Sequence, residues 1–144
     1  NKACAEKGGV IGIEAAPHMT ISEDHKRHSV ESVMDHFEYI VNLVGVDHVG
    51  FGPDTMYGDH VGLHRFLGSE LGLQKVFGRE GFDVMKAFTE EGKETPEREG
   101  VKGMDNPTEC SHNIVRWLVK HGYSEKEIKK VMGANTIRAL EKIW

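Results

Sequence analysis

The sequence predicts an α/β fold with parallel strands. Two short apolar runs, residues 10–13 and 48–52, flank a segment with helical periodicity. The first run is apolar on both faces, as a strand covered on both sides must be. Strand, loop, helix, strand is also the order of a right-handed crossover between parallel neighbours.

Taken in order, residues 1–7 read as the end of a helix, closed by Gly8-Gly9 in a left-handed cap. The chain begins without Met and in mid-helix pattern, as a piece of a longer protein or a processed chain would. Strand 10–13 leads into a loop over 14–27, expected on the strand's C-terminal side. Ser29 is placed to cap the next helix. Its apolar residues Val30, Val33, Met34, Phe37, Ile40, Val41 and Val44 fall on one helical face, and Gly45 ends it. Strand 48–52 follows at once, with Phe51 in the core, and stops at Pro53-Asp54.

Short helices are expected at 59–67 and 69–77. The Gly- and charge-rich stretch 78–104 reads as an exposed insertion within a single unit spanning 1–144. Asn106 is a candidate N-cap with Pro107 at the first helical position, and Gly122 ends that helix. Ser124 and Glu127 form a capping box for a short helix through Met132. Gly133-Ala134-Asn135 is expected to break it, with Asn135 capping a last helix over 136–144 that Arg138 ties to the sheet.

Composition narrows the function classes. A chain of 144 residues is one domain or part of one. A net charge of −5 and a pI near 6.0 leave no basic footprint for nucleic acid. No apolar run approaches a membrane span, and the two lysines in residues 1–7 are not followed by the apolar core of a signal peptide. Cys4 and Cys110 are not spaced as a metal knuckle and read as reduced thiols, which favours a cytoplasmic setting.

Asp54 is the principal functional candidate. In parallel α/β folds, ligands bind at the C-terminal ends of the strands. Pro-Asp is equally good turn chemistry, so a structural role for Asp54 stands beside the functional one. Glu14 directly follows the first strand and is positioned to line the same pocket. His18, His25 and His28 lie in the loop on that side. His60 and His64 are spaced to share one helix face, but His60 lacks the adjacent Glu of the zincin pattern. They read as a solvated face or a loop contact.

The order Asp35-His36, then Val44-Gly45-Val46-Asp47-His48-Val49-Gly50-Phe51-Gly52-Pro53-Asp54, resembles the C-terminal part of the membrane (renal) dipeptidase family. So does the tail: the run from Val101 through Asp105-Asn106-Pro107-Thr108-Glu109, then Gly122-Tyr123-Ser124, then Gly133-Ala134-Asn135-Thr136-Ile137-Arg138. The similarity runs over nearly the whole chain. It implies the C-terminal portion of a (β/α)8 TIM-type barrel of the amidohydrolase kind, with few strands and mostly helices in this stretch. It also implies two zinc ions bridged by a glutamate, and a dipeptide or small amide as substrate. The family's metal ligands are an early His-x-Asp pair, a mid-chain Glu and two later His. They precede the stretch covered here, and none is matched in this chain.

Asp54 corresponds to the acidic residue after the last barrel strand, which lies beside the metals and contacts substrate. Amide hydrolysis needs a hydroxide, which zinc supplies by acidifying bound water, and a proton for the departing amine. A carboxylate in reach of both can move that proton. Ionised, it can instead pair with a dipeptide's ammonium group. His36 matches the family's Asp-His pair, which implies a structural hydrogen bond. Thr55-Met56-Tyr57-Gly58 departs from the acidic residue and Gly found there in many members. With that departure, Tyr57 joins Glu14 and His18 as a candidate for the substrate pocket. A catalytically inactive piece is the alternative, because two strands cannot close a barrel and open edges demand pairing. A homo-oligomer, or association with the missing half, is then expected. A third reading is a small-ligand site in the same cleft without hydrolysis.

Overall fold

The computed structural model describes residues 1–15, 20–58 and 101–144. Its elements are α1 (Lys2–Glu6), β1 (Ile11–Ile13), α2 (Val30–Val44), a 3-10 turn (Val46–His48), β2 (Val49–Phe51), α3 (Pro107–Lys120), α4 (Glu125–Lys129), a π turn (Lys130–Ala134) and α5 (Asn135–Leu140). The mixed α/β class is as expected. β1 and β2 are parallel neighbours, with Ile11 opposite Val49, Gly12 opposite Gly50 and Ile13 opposite Phe51. Among the described residues the sheet has these two strands. Both are shorter than their apolar runs, because His48 belongs to the preceding turn and Val10 and Gly52 lie outside the ladder.

The helices start where their caps are. Ser29 Oγ accepts from the Ser32 amide at 3.4 Å, and Ser32 Oγ accepts from the Ser29 amide at 3.0 Å. Each thereby satisfies an amide that the first turn leaves without a helical partner. Asn106 caps α3 by accepting from the Glu109 amide at 3.0 Å, with Pro107 leading the helix. Ser124 and Glu127 make the expected box around α4. α2 ends at Gly45, whose φ of 86° is the left-handed backbone that glycine adopts without a Cβ clash.

Packing follows the apolar face of α2. Val33, Met34 and Phe37 are fully buried, together with Val49, Ile114 and Leu118. Phe37 stacks on Phe51 at 5.0 Å between ring centroids and tilts against Tyr123 at 5.7 Å. Phe51 itself is half-buried at the edge of this core.

The break expected at Gly133-Ala134-Asn135 falls at Gly133, whose non-helical backbone (φ 160°, ψ −34°) kinks the chain between two helices. Two sequence expectations change. Asn135 does not cap, because its side-chain amide donates to the carbonyls of Val46 in the 3-10 turn and Val49 in β2. The last helix stops at Leu140, and Ile143 and Trp144 beyond it are exposed. A short helix end with no surface to bury against has little to hold it.

The helices expected at 59–67 and 69–77 lie outside the described residues, as do residues 78–100 of the expected insertion. Its last four residues are described, and of these Val101 and Met104 are buried in the core. Gly103, at φ 85°, allows this packing, since a Cβ there would stand 2.9 Å from Val30 Cγ2. Among the described residues no helix is long and apolar enough to cross a membrane.

Candidate functional site

The parallel register brings the two strand ends together. The Gly52 amide donates to the Ile13 carbonyl at 3.0 Å, carrying the pairing one step beyond the ladder. Glu14 leaves β1 and Pro53-Asp54 leaves β2 on the same side. Glu14 and Asp54, both exposed, line one open cavity of about 810 Å³. Thr55, Pro107 and Ser111 complete much of the wall. The start of α3 is therefore part of this site.

Asp54 has φ 53°, a left-handed backbone on a residue other than glycine. Aspartate tolerates this conformation better than most residues, yet it remains uncommon and gathers at functional sites. Thr55 Oγ1, on the same wall, is buried and has no hydrogen-bond partner among the described residues. This arrangement is an anionic cavity at the active-edge end of a parallel pair. It suits a ligand carrying a positive group, or a proton transfer between neighbouring polar atoms.

The other candidates divide. Tyr57 is exposed and lies outside the residues lining this cavity. Its hydroxyl is hydrogen-bonded to Thr108 Oγ1 in the first turn of α3. His18, His60 and His64 lie outside the described residues. His28 Nδ1 is 2.7 Å from Thr20 Oγ1, which is buried. His25 Nδ1 is 2.6 Å from the Asp35 carboxylate, which also accepts from Ser22. The Asp35 hydrogen bond raises the His25 pKa. Burial pushes the Asp35 carboxyl up, but the hydrogen bonds from Ser22 and His25 outweigh it and leave the pKa lowered.

In the Asp35-His36 pair, the hydrogen bonds thus belong to Asp35. His36 Nε2 is buried without a partner among the described residues. Both cysteines are unbridged, and burial pushes the Cys110 thiol up to about 11.

Ser111, Pro107 and Thr55 are site residues that the sequence did not disclose. The only signal was indirect: Asn106-Pro107 marks a helix start, and helix starts in α/β folds border the strand ends. Among the described residues no three His, Cys, Asp or Glu side chains converge to hold a metal ion. These residues by themselves therefore do not provide the zinc site that the resemblance implies.

Residues 2–64, which include both strands, Glu14 and Asp54, match the model of the membrane dipeptidase family, peptidase family M19. The chain resembles the membrane dipeptidases. Dipeptidase tcpJ of Claviceps purpurea (strain 20.1) is 25% identical over 135 residues, covering 94% of this chain and 22% of that protein. Dipeptidase ataJ of Aspergillus terreus (strain NIH 2624 / FGSC A1156) is 26% identical over 136 residues, covering 94% of this chain and 23% of that protein. Dipeptidase aclJ of Aspergillus oryzae (strain ATCC 42149 / RIB 40) is 39% identical over 49 residues, 34% of this chain and 12% of that protein. The chain spans less than a quarter of the length of these relatives. No solved structure matches it.

Proposed function

We propose that this chain is the C-terminal part of a metal-dependent, dipeptidase-type hydrolase built on a (β/α)8 barrel, and that Asp54 is its catalytic carboxylate. One observation carries this: Asp54 stands at the C-terminal end of β2, at φ 53°, on a cavity wall shared with Glu14. It does so within the segment matched by the dipeptidase family model. In this role Asp54 takes a proton from the attacking water as the new C–O bond forms. It returns that proton to the amide nitrogen as the C–N bond breaks. Glu14 lines the pocket beside it and favours substrates with a free ammonium group. His18 and Tyr57 are further pocket candidates. The two zinc ions implied by the family would draw their ligands from residues beyond those described.

The test is Asp54→Asn in the intact protein, assayed on dipeptides. A loss in kcat of roughly 10²–10⁴-fold, with zinc content unchanged, is the expected result. A rise in KM with kcat preserved would instead make Asp54 the contact for the substrate's ammonium group. Full activity would remove it from the site.

A second reading has one observation in its favour. β1 and β2 each leave one edge without a strand partner among the described residues. Such edges pair with other strands. On its own the 144-residue chain is then expected to self-associate, or to need the rest of the barrel, and to be inactive. Size-exclusion chromatography and a dipeptide assay with added zinc test this; a monomer with measurable turnover would refute it.

A further inference from the structure

A second concavity, of about 970 Å³, shares no lining residue with the Asp54 cavity. It lies between the segment leading into α2 and a face of α3. Lys26, Arg27, Lys102, Arg116 and Lys120 line it, against the acids Asp24 and Glu31. Counting these side chains, 5 − 2 gives +3, in a chain whose net charge is −5.

A row of lysines along one helix is ordinarily a solvated face. Here the cations come from three separate stretches of chain, and those stretches are tied together. The Lys102 amide donates to the His28 carbonyl at 3.1 Å, and the Val30 amide donates to the Lys102 carbonyl at 3.2 Å. Asn113 Nδ2 donates to the Gly103 carbonyl at 2.8 Å, fixing the same strip to α3. The cationic wall is therefore held by backbone bonds and the Asn113 side-chain amide, not by the charges themselves.

Among the described residues those charges are also poorly neutralised. The ion pairs among the described residues are His25–Asp35, Lys129–Glu125 and Lys130–Asp47. Lys26 reaches the Ser22 carbonyl, and Arg116 reaches the Asn113 side-chain oxygen, both neutral acceptors. Like charges on a concave wall repel one another and focus their field into the cleft, where an anion relieves the repulsion. Trp117, half-buried, adds an apolar surface to the lining.

We infer that this groove binds a small multivalent anion, a ligand carrying two or more phosphate or carboxylate groups. The inference is independent of the dipeptidase reading. Calorimetric titration of the intact protein with sodium pyrophosphate, and separately with citrate, tests it. Saturable one-to-one binding that weakens with added salt is expected. Tighter binding of pyrophosphate assigns the site to phosphates, and tighter binding of citrate to carboxylates.

The pair Lys102→Glu with Arg116→Glu should weaken binding by roughly ten-fold or more. The control pair Lys7→Glu with Lys126→Glu, which makes the same change in net charge elsewhere, should leave it nearly unchanged. Should the first pair fail to fold, Lys102→Gln with Arg116→Gln carries the same expectation at smaller size. No saturable binding of either anion, or equal weakening by the control pair, would overturn the proposal.

Discussion

The two ends of the β1–β2 pair use polar side chains in opposite ways. At the end where the strands begin, polar groups are committed to structure. Asn135 Nδ2 donates to the Val46 and Val49 carbonyls, both at 2.8 Å. Arg138 donates to the Gly8 carbonyl at 2.9 Å and the Asp47 carbonyl at 2.8 Å, and His48 Nδ1 lies 2.9 Å from the Gly9 carbonyl. Lys130 pairs with the Asp47 carboxylate. At the end where the strands finish, Glu14 and Asp54 border an open cavity. Parallel α/β architecture divides labour in this way, with stability at the N-terminal ends of strands and ligands at the C-terminal ends. A polar residue at one end is thus expected to behave quite unlike a polar residue at the other.

Mutations can break or sharpen that contrast. The largest expected effect is that of Asp54→Asn, which should cost the intact protein at least roughly 10²-fold in turnover. Its effect on the urea midpoint should be small beside that loss, so that activity and stability separate at this end. At the other end they should reverse. Asn135→Ala strips a shared donor from two carbonyls and should lower unfolding stability by about 2 kcal/mol, read by urea denaturation. Arg138→Met should cost about 1–2 kcal/mol by the same measurement, since its bonds reach neutral carbonyls at partly exposed positions. If either variant lost turnover while keeping its stability, the division between the two ends would fail.

Smaller effects follow from charge. The hydrogen bond from Lys130 holds the Asp47 carboxyl below its ordinary value. A lowered carboxylate pKa stabilises the fold above the unfolded value, and this contribution is lost as pH falls through the folded value. Asp47→Asn should therefore remove part of the acid-side loss of stability. The pair is largely exposed, so the effect should stay under ~1 kcal/mol.

The His25–Asp35 clip has two limits. The raised His25 pKa makes its contribution complete below the ordinary histidine value and lost as pH rises through the folded value. The lowered Asp35 pKa makes that side complete above the ordinary carboxylate value and lost in stronger acid. Titration of the His25 ring by NMR should show a midpoint above that of free histidine, and Asp35→Asn should bring it down.

Much of this was legible in the residues. Ser29, Asn106 and Ser124 start helices because each offers an oxygen to amides of the first turn, and such a bond needs only a few consecutive residues. The face of α2 and the position of Gly45 follow from the same local rules. Ser32 as reciprocal partner of Ser29 was missed, because that position usually carries Glu or Gln. Asn135 misled for a related reason. Asn caps helices well in isolation, but here its amide is drawn to carbonyls in residues 46 and 49, far away in sequence.

For the candidate site, the sequence by itself determined that a carboxylate follows each strand, because the end of the first apolar run at Glu14 and the stop at Pro53 are local properties. It also carried the resemblance to the dipeptidases, through motifs that survive in linear order. Only the tertiary structure decided that Glu14 and Asp54 share one cavity, since that depends on the register of β1 against β2. Only it brought Ser111 of α3 to the same wall, and only it assembled Lys26, Lys102 and Arg116 into one groove. Contacts of this kind join residues tens of positions apart. Packing and backbone pairing set them, and local pattern carries no trace of either.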